Sequence, residues 1–191
     1  MGGVTLRRPD LPPSDAGLAC HTPKRQESLV ADRARHQGKV AIVTGAANGI
    51  GRASVLRLAS EGATVVGCDV NAAALSETEQ LLTEAGKTAQ LVVADISRQE
   101  DVDRVAAAAG PTIDIPADVA GIMDNFVPLG ELDDALWEHV MSVNVTGVMR
   151  LTRAVLPTME AAGHGAIVTV ASKASLGADR LESRTRRPST P

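Results

Sequence analysis

The octapeptide Thr44-Gly45-Ala46-Ala47-Asn48-Gly49-Ile50-Gly51 follows directly on the apolar run Val40-Ala41-Ile42-Val43. Residues 39–44 are short, β-branched and apolar, as a strand buried on both faces of a parallel sheet should be. From Ile50 the apolar positions change period, to Ile50, Ala53, Val55, Leu56, Leu58 and Ala59, and Glu61-Gly62 supplies a stop. That spacing predicts a helix. A strand, a glycine-rich turn and a helix, in that order, constrain the fold more than any other feature of the chain. Glycines at 45, 49 and 51 let backbone approach a ligand closely, and the first N–H groups of the helix with its dipole favour an anion. The spacing is G-x3-G-x-G, not the general G-x-G-x-x-G fingerprint, so the glycines alone would also fit an ordinary tight turn.

The next strand supplies a second signal. Ala63-Thr64-Val65-Val66-Gly67-Cys68 ends at Asp69. Its offset from the turn is close to the roughly 20 residues expected of an acid that accepts hydrogen bonds from ribose hydroxyls. A carboxylate there repels a 2′-phosphate, and the turn itself holds Ala47 and Asn48 with no basic residue. Both features favour NAD over NADP. Asp69 also precedes a helical run from Asn71 to Ala85, so a helix-capping role is open as well.

The rest of the centre alternates in the same way. Strands read at 39–44, 63–68, 88–94, 112–118 and 165–171, and helices at 50–61, 72–85, 98–109 and 133–160. Alternation of this kind predicts an α/β, Rossmann-like doubly wound parallel sheet with helices on both faces. One domain over 38–176 accounts for it. Residues 1–37, with Pro9, Pro12, Pro13 and Pro23 and no sustained period, read as a disordered extension, or as a start codon placed too far upstream. Residues 177–191, with Arg180, Arg184, Arg186, Arg187, Pro188 and Pro191, read as a disordered tail.

Taken together, T-G-A-A-N-G-I-G, then Asp69, then Asp95-Ile96 after the third strand, resemble the short-chain dehydrogenase/reductase family. Ala120-Gly121 resembles the end of the family's N-N-A-G element. Val143-Asn144-Val145-Thr146-Gly147 resembles the segment carrying its active-site asparagine, and Gly165 to Ser172 its fifth strand leading to the active-site serine. The resemblance covers about residues 38–176. It implies cofactor contacts at Gly45, Asn48, Gly49, Ile50, Gly51, Asp69, Asp95, Ile96, Ala120 and Gly121, and catalytic roles for Asn144 and Ser172. It implies hydride transfer between NAD and a small alcohol or ketone, in a cytoplasmic homo-oligomer.

The same resemblance exposes two departures. The family's general acid/base is a tyrosine thirteen residues after the serine, with a lysine four residues later to lower its pKa. A phenol near its free pKa of about 10 is a poor base at neutral pH without such a cation. Here those positions hold Thr185 and Ser189, and the chain has no tyrosine. Degeneracy permits residues 182–191, read from the third base of each codon, to spell a family-like Ile/Val-Ala-Tyr-Thr-Ala-Ser-Lys-His-Ala. The expectation is therefore a frameshift near residues 173–180, a sheet incomplete after the fifth strand, and a marginally stable chain with an incomplete interface. A non-catalytic NAD-binding module and an inactive fragment are the alternatives. The second departure is Pro116-Ala117-Asp118-Val119-Ala120-Gly121 where the family has L-V-N-N-A-G. Pro116 removes a ladder donor from a central strand, and Asp118 puts a charge where an asparagine belongs. His139 and Lys173 are titratable but read as surface residues.

Charge and cysteine content exclude other classes. Residues 38–178 carry nine Lys and Arg against 17 Asp and Glu, which argues against nucleic acid as a partner. Cys20 and Cys68 are too few for a disulfide scaffold and fit a reducing compartment. No apolar stretch approaches a membrane span, and no cluster suggests a metal.

Overall fold

The computed structural model describes residues 34–172. Five parallel strands run β1 (Val40–Thr44), β2 (Thr64–Asp69), β3 (Gln90–Val93), β4 (Ile115–Asp118) and β5 (Val168–Thr169), in the spatial order β3-β2-β1-β4-β5. Helices α1 (Gly49–Ser60), α2 (Ala72–Glu84), α3 (Gln99–Ala109), α4 (Asp134–Met141) and α5 (Val148–Ala162) connect them. This is the Rossmann-like α/β fold anticipated from the alternation. The expectations for residues 1–33, the tail at 177–191, Lys173, Thr185 and Ser189 lie outside the described residues.

Alternation along each strand divides the core. Ala41, Val43, Val65 and Ala117 face one way, against Val55 and Ala59 of α1 and Leu75 and Leu82 of α2. Ile42, Val66 and Cys68 face the other way, against Val102 and Val105 of α3 and Leu151, Val155 and Met159 of α5. Period-2 strands under period-3.6 helices thus bury both faces without an aromatic side chain. The chain's one Phe and one Trp, Phe126 and Trp137, are instead exposed on the connection from β4 and on α4. Strand order reverses between β1 and β4, so a crevice opens there at the carboxyl ends of the strands.

Three boundaries differ from expectation. Backbone hydrogen bonds already run through the described residues ahead of Gly38: Gln37 N–H donates to Ala34 O at 3.2 Å, and His36 N–H to Glu61 O at 3.1 Å. The single helix expected over 133–160 is instead α4 and α5 joined by a π-helical turn, Ser142–Gly147. The fifth strand shrinks from 165–171 to two residues, and Pro116 accounts for its late start. Alternate N–H groups of a strand serve alternate neighbours. Ala166 N–H donates to Asp114 O at 2.9 Å, and the next donor returning toward β5 would be residue 116, which has none. Pairing with β1 runs through Pro116, while pairing with β5 starts only at Ala117.

Candidate dinucleotide site

The glycine turn is held by contacts that only glycine permits at two positions. A Cβ on Gly51 would lie 1.9 Å from Gly45 O, so the first turn of α1 is pressed onto the loop it leaves. Gly45 has φ +70° and would bring a Cβ within 3.0 Å of Ala120 N and Cα, so the turn is also pressed onto the end of β4. Gly49 also has positive φ, +50°, but faces open space. The hydroxyl of Thr44, fully buried, accepts from Val119 N–H at 2.9 Å and Ala120 N–H at 3.0 Å and fixes that junction. The N-cap of α1, Asn48, makes no side-chain cap hydrogen bond, so the first N–H groups of the helix keep their capacity to donate.

Asp69 ends β2 beside this turn. Its Oδ2 accepts from Ala47 N–H at 3.1 Å and its Oδ1 from Asn71 N–H at 2.9 Å. It is not the cap of α2: Asn71 holds that position and accepts from Ala74 N–H at 3.1 Å. Of the two readings open for Asp69, capping is thereby excluded.

A cavity of about 490 Å³ opens at the switch point. It is lined by Gly45, Asn48, Ile50 and Gly51 from the turn, Cys68, Asp69, Val70 and Asn71 from the end of β2, and Ala94, Asp95 and Ile96 from the end of β3. Val119, Ala120, Gly121 and Ile122 beyond β4 complete it with His139 and Val143. Nine of the ten residues expected at the cofactor thus share one cavity; Gly49 shapes the turn without lining it. Asp95 Oδ1 accepts from Ser97 N–H at 2.8 Å, which sets the bend under Ile96. Asn144 sits on the π-helical turn, off the cavity wall. Its amide brackets one residue, accepting from Ile122 N–H at 2.8 Å and donating to Ile122 O at 2.8 Å. Gly147 at the end of that turn would bring a Cβ within 2.8 Å of Ile96, so the turn also packs on the loop after β3. Ser172 lies at the last described position and does not line the cavity.

Residues beyond the motif were not legible from spacing. His139, exposed on α4, lines the cavity after all. Cys68 lines it too; burial, with Asp69 second, pushes its thiol up to about 12, so it is an inert wall and not a nucleophile. Asp118 is 2 % exposed, and burial pushes its carboxyl up to about 6 against one weak counterweight, the Thr169 hydroxyl at 3.5 Å. Its Oδ1 has no hydrogen-bond partner among the described residues. Among the described residues no three His, Cys, Asp or Glu could hold a metal together, and no helix is long and apolar enough to cross a membrane.

This geometry fits a dinucleotide. The cradle is made of backbone that a Cβ would fill, an uncapped helix start faces it, and an acid stands one strand away. Comparison with known proteins agrees. The model of the family described as short chain dehydrogenase matches residues 39–181. The 3beta-hydroxysteroid dehydrogenase 2 of Eggerthella lenta is 40% identical over 155 residues, 77% of this chain and 60% of that protein. The 2,3-dihydro-2,3-dihydroxybenzoate dehydrogenase of Bacillus subtilis is 38% identical over 143 residues, 73% of this chain and 54% of that protein. Among solved structures, a 7 alpha-hydroxysteroid dehydrogenase complexed with NADH and 7-oxo glycochenodeoxycholic acid superposes with a TM-score of 0.70 at 31% identity, covering 76% of this chain and 58% of that one. A metagenomic short-chain oxidoreductase in complex with NADP gives 0.67 at 33%, covering 71% and 63%. The chain spans a little over half the length of these relatives.

Proposed function

We propose that this chain, which belongs to the short chain dehydrogenase family, binds a nicotinamide dinucleotide in the switch-point cavity, and NAD in preference to NADP. The observation that carries this is the meeting of the glycine turn, the uncapped start of α1 and Asp69 on one cavity. Gly45, Asn48, Ile50 and Gly51 would hold the pyrophosphate and Asp69 the ribose hydroxyls. Asp95, Ile96, Ala120 and Gly121 would line the remaining length. The cofactor, when bound, supplies hydride chemistry toward an alcohol or ketone. Support for NAD is that none of the described residues lining the cavity is a Lys or Arg. The arginine beside the turn, Arg52, points its guanidinium at Ala47 O, Ala74 O and Glu77.

Turnover is a separate matter. Asn144 and Ser172 stand where the family has its asparagine and serine, but residues 185 and 189 are Thr and Ser. A threonine hydroxyl is far less acidic than a phenol and cannot move the substrate proton at neutral pH. We therefore read the chain as a dinucleotide-binding member whose hydride transfer with an alcohol or ketone is impaired. A reducing, cytosolic setting suits the buried free thiol of Cys68.

Calorimetric titration with NAD and NADP tests the first reading, and a panel of alcohols and ketones the second. NAD binding at least about tenfold tighter than NADP, without change in nicotinamide absorbance on the panel, is the expected pair of results. No heat with either nucleotide, or tighter NADP, defeats the binding reading. Sustained NADH production defeats the impaired one.

A further inference from the structure

The glycine turn has a back as well as a front. Gly45, Asn48, Ile50 and Gly51 face the cavity, while Ala46, Ala47, Arg52 and Thr78 do not line it. Behind the turn every polar group of the Ala46 and Ala47 backbone is engaged. Ala46 N–H donates to Cys68 O at 3.0 Å and Ala47 N–H to Asp69 Oδ2 at 3.1 Å, both on β2. Arg52 Nε donates to Ala47 O at 2.8 Å and to Thr78 Oγ1 at 3.1 Å. The Thr78 proton is shared between Ala46 O at 3.1 Å and Ala74 O at 3.2 Å. A second guanidinium nitrogen reaches Ala74 O at 3.2 Å and Glu77 Oε2 at 2.8 Å.

From this arrangement we propose that Arg52 and Thr78 are positioning residues that fasten the glycine turn to α2 and so set the direction of the N–H groups receiving the pyrophosphate. The proposal rests on the dinucleotide reading above. Two alanine side chains offer no hold on their own peptides, and Gly45 and Gly49 on either side cost the turn rigidity. Without bonds to both carbonyls the Ala46-Ala47 stretch itself would be hydrogen-bonded on the β2 side alone. Thr78 is fully buried in a helix otherwise packed through Leu75 and Leu82. A hydroxyl is costly at such a place unless it is bonded, and it is bonded to the turn. Preorganised donors need no rearrangement when an anion arrives, which is what raises affinity.

The test compares Thr78→Val, which keeps shape and removes the hydroxyl, with Thr78→Ser, which restores it. Val105→Ala in α3 serves as a destabilised control remote from the turn. NAD affinity by calorimetry should fall about fivefold or more in Thr78→Val and return to within about twofold in Thr78→Ser. It should hold in Val105→Ala despite a lowered melting temperature. Unchanged affinity in Thr78→Val, or an equal loss in Val105→Ala, overturns the proposal. A second readout needs no cofactor: amide exchange at Ala46 and Ala47 should be at least about tenfold faster in Thr78→Val than in Val105→Ala. Equal exchange rates overturn the clamp whatever NAD does. Fast exchange in Thr78→Val together with no NAD uptake by the unsubstituted chain leaves the clamp standing and removes the dinucleotide reading instead.

Discussion

The two ends of the sheet treat buried carboxylates in opposite ways. At the amino ends of the strands, Glu61 at the foot of α1 takes Arg35 and Arg57 and lies 3.5 Å from His36. Hydrogen bonds from Arg35 and then Arg57 hold its carboxyl down to about 2. Asp114, just before β4, takes Lys39 Nζ at 2.8 Å, Val40 N–H at 2.9 Å and His164 Nδ1 at 3.3 Å. Burial works against its charge, yet Lys39 and the Val40 amide keep it below the usual carboxylate range. At the carboxyl ends, Asp118 is as buried as these and has no cation beside it among the described residues. At one end the buried carboxylates are paired with cations. The other lines its cavity with no Lys or Arg among the described residues and offers backbone N–H groups, an arrangement that suits a ligand bringing its own negative charge but leaves Asp118 uncompensated.

The sharpest way to break this contrast is at Gly51. Gly51→Val forces a side chain onto Gly45 O, where 1.9 Å is open to a Cβ. NAD binding should be lost, by about two orders of magnitude or more. Amide protection around Glu61 and Asp114 should persist, as hydrogen exchange would record. Loss of protection at both ends would mean that they do not behave separately.

Asp118→Asn comes next. The folded carboxyl titrates at about 6, above its unfolded value, so the folded state binds the extra proton. The group then opposes folding increasingly as pH rises from about 4 through 6, and by a constant amount above that. The gap between those two values corresponds to at most about 3 kcal/mol. Urea denaturation should find Asp118→Asn more stable than the unsubstituted chain at pH 8, by about 1–3 kcal/mol, with the two converging near pH 4. A variant equal to the parent at every pH would show that Asp118 is compensated.

Glu61→Gln probes the opposite end with the opposite sign. A carboxyl depressed to about 2 contributes stability that is complete above its unfolded pKa and disappears as pH falls through 2. The variant should melt lower than the parent at pH 7, and the difference should shrink below pH 4. The smallest effect belongs to Glu77→Gln. That carboxylate is 64% exposed and its ion pair with Arg52 is one of several bonds on the guanidinium. Stability should move by less than about 0.5 kcal/mol, and NAD affinity by less than about twofold. A larger loss would give the ion pair a weight the clamp does not assign to it.

What could be read from the sequence depended on whether the relevant partners are near in the chain. The change from period 2 to period 3.6 at Ile50, the glycines and the acid ending β2 are local, and they placed β1, α1 and Asp69 within a residue or two. The π-helical turn was invisible because apolar spacing continues through it and nothing in Ser142–Gly147 forbids an α-helix. Pro116 was legible as a missing donor, but which neighbour would lose it depends on strand order. The pairing of Asp114 with Lys39 spans 75 residues, and that of Arg35 with Glu61 spans 26. No window on the sequence contains such pairs. Asp118 was visible as a charge in place of an amide, whereas its lack of a compensating cation emerged only with the packing around it. The same holds for Thr78, an ordinary helical residue until Ala46 is beside it.

The π-helical turn also absorbs one residue between two helices that stay in phase. Each residue advances an α-helix by about 100°, and a wider turn accommodates one residue more than an α turn over the same rise. Shortening Ser142–Gly147 by a single residue would let α4 and α5 fuse into one regular helix. Leu151, Val155 and Met159 would keep their seat on the sheet, and α4 ahead of the turn would keep its facing, because the wider turn had already absorbed the extra residue. Only residues of the turn itself would be re-aimed, and Asn144 would swing off Ile122. The bulge is thus a gauge of indel tolerance: the flanking helices would survive losing that residue, and the bracket on Ile122 would not.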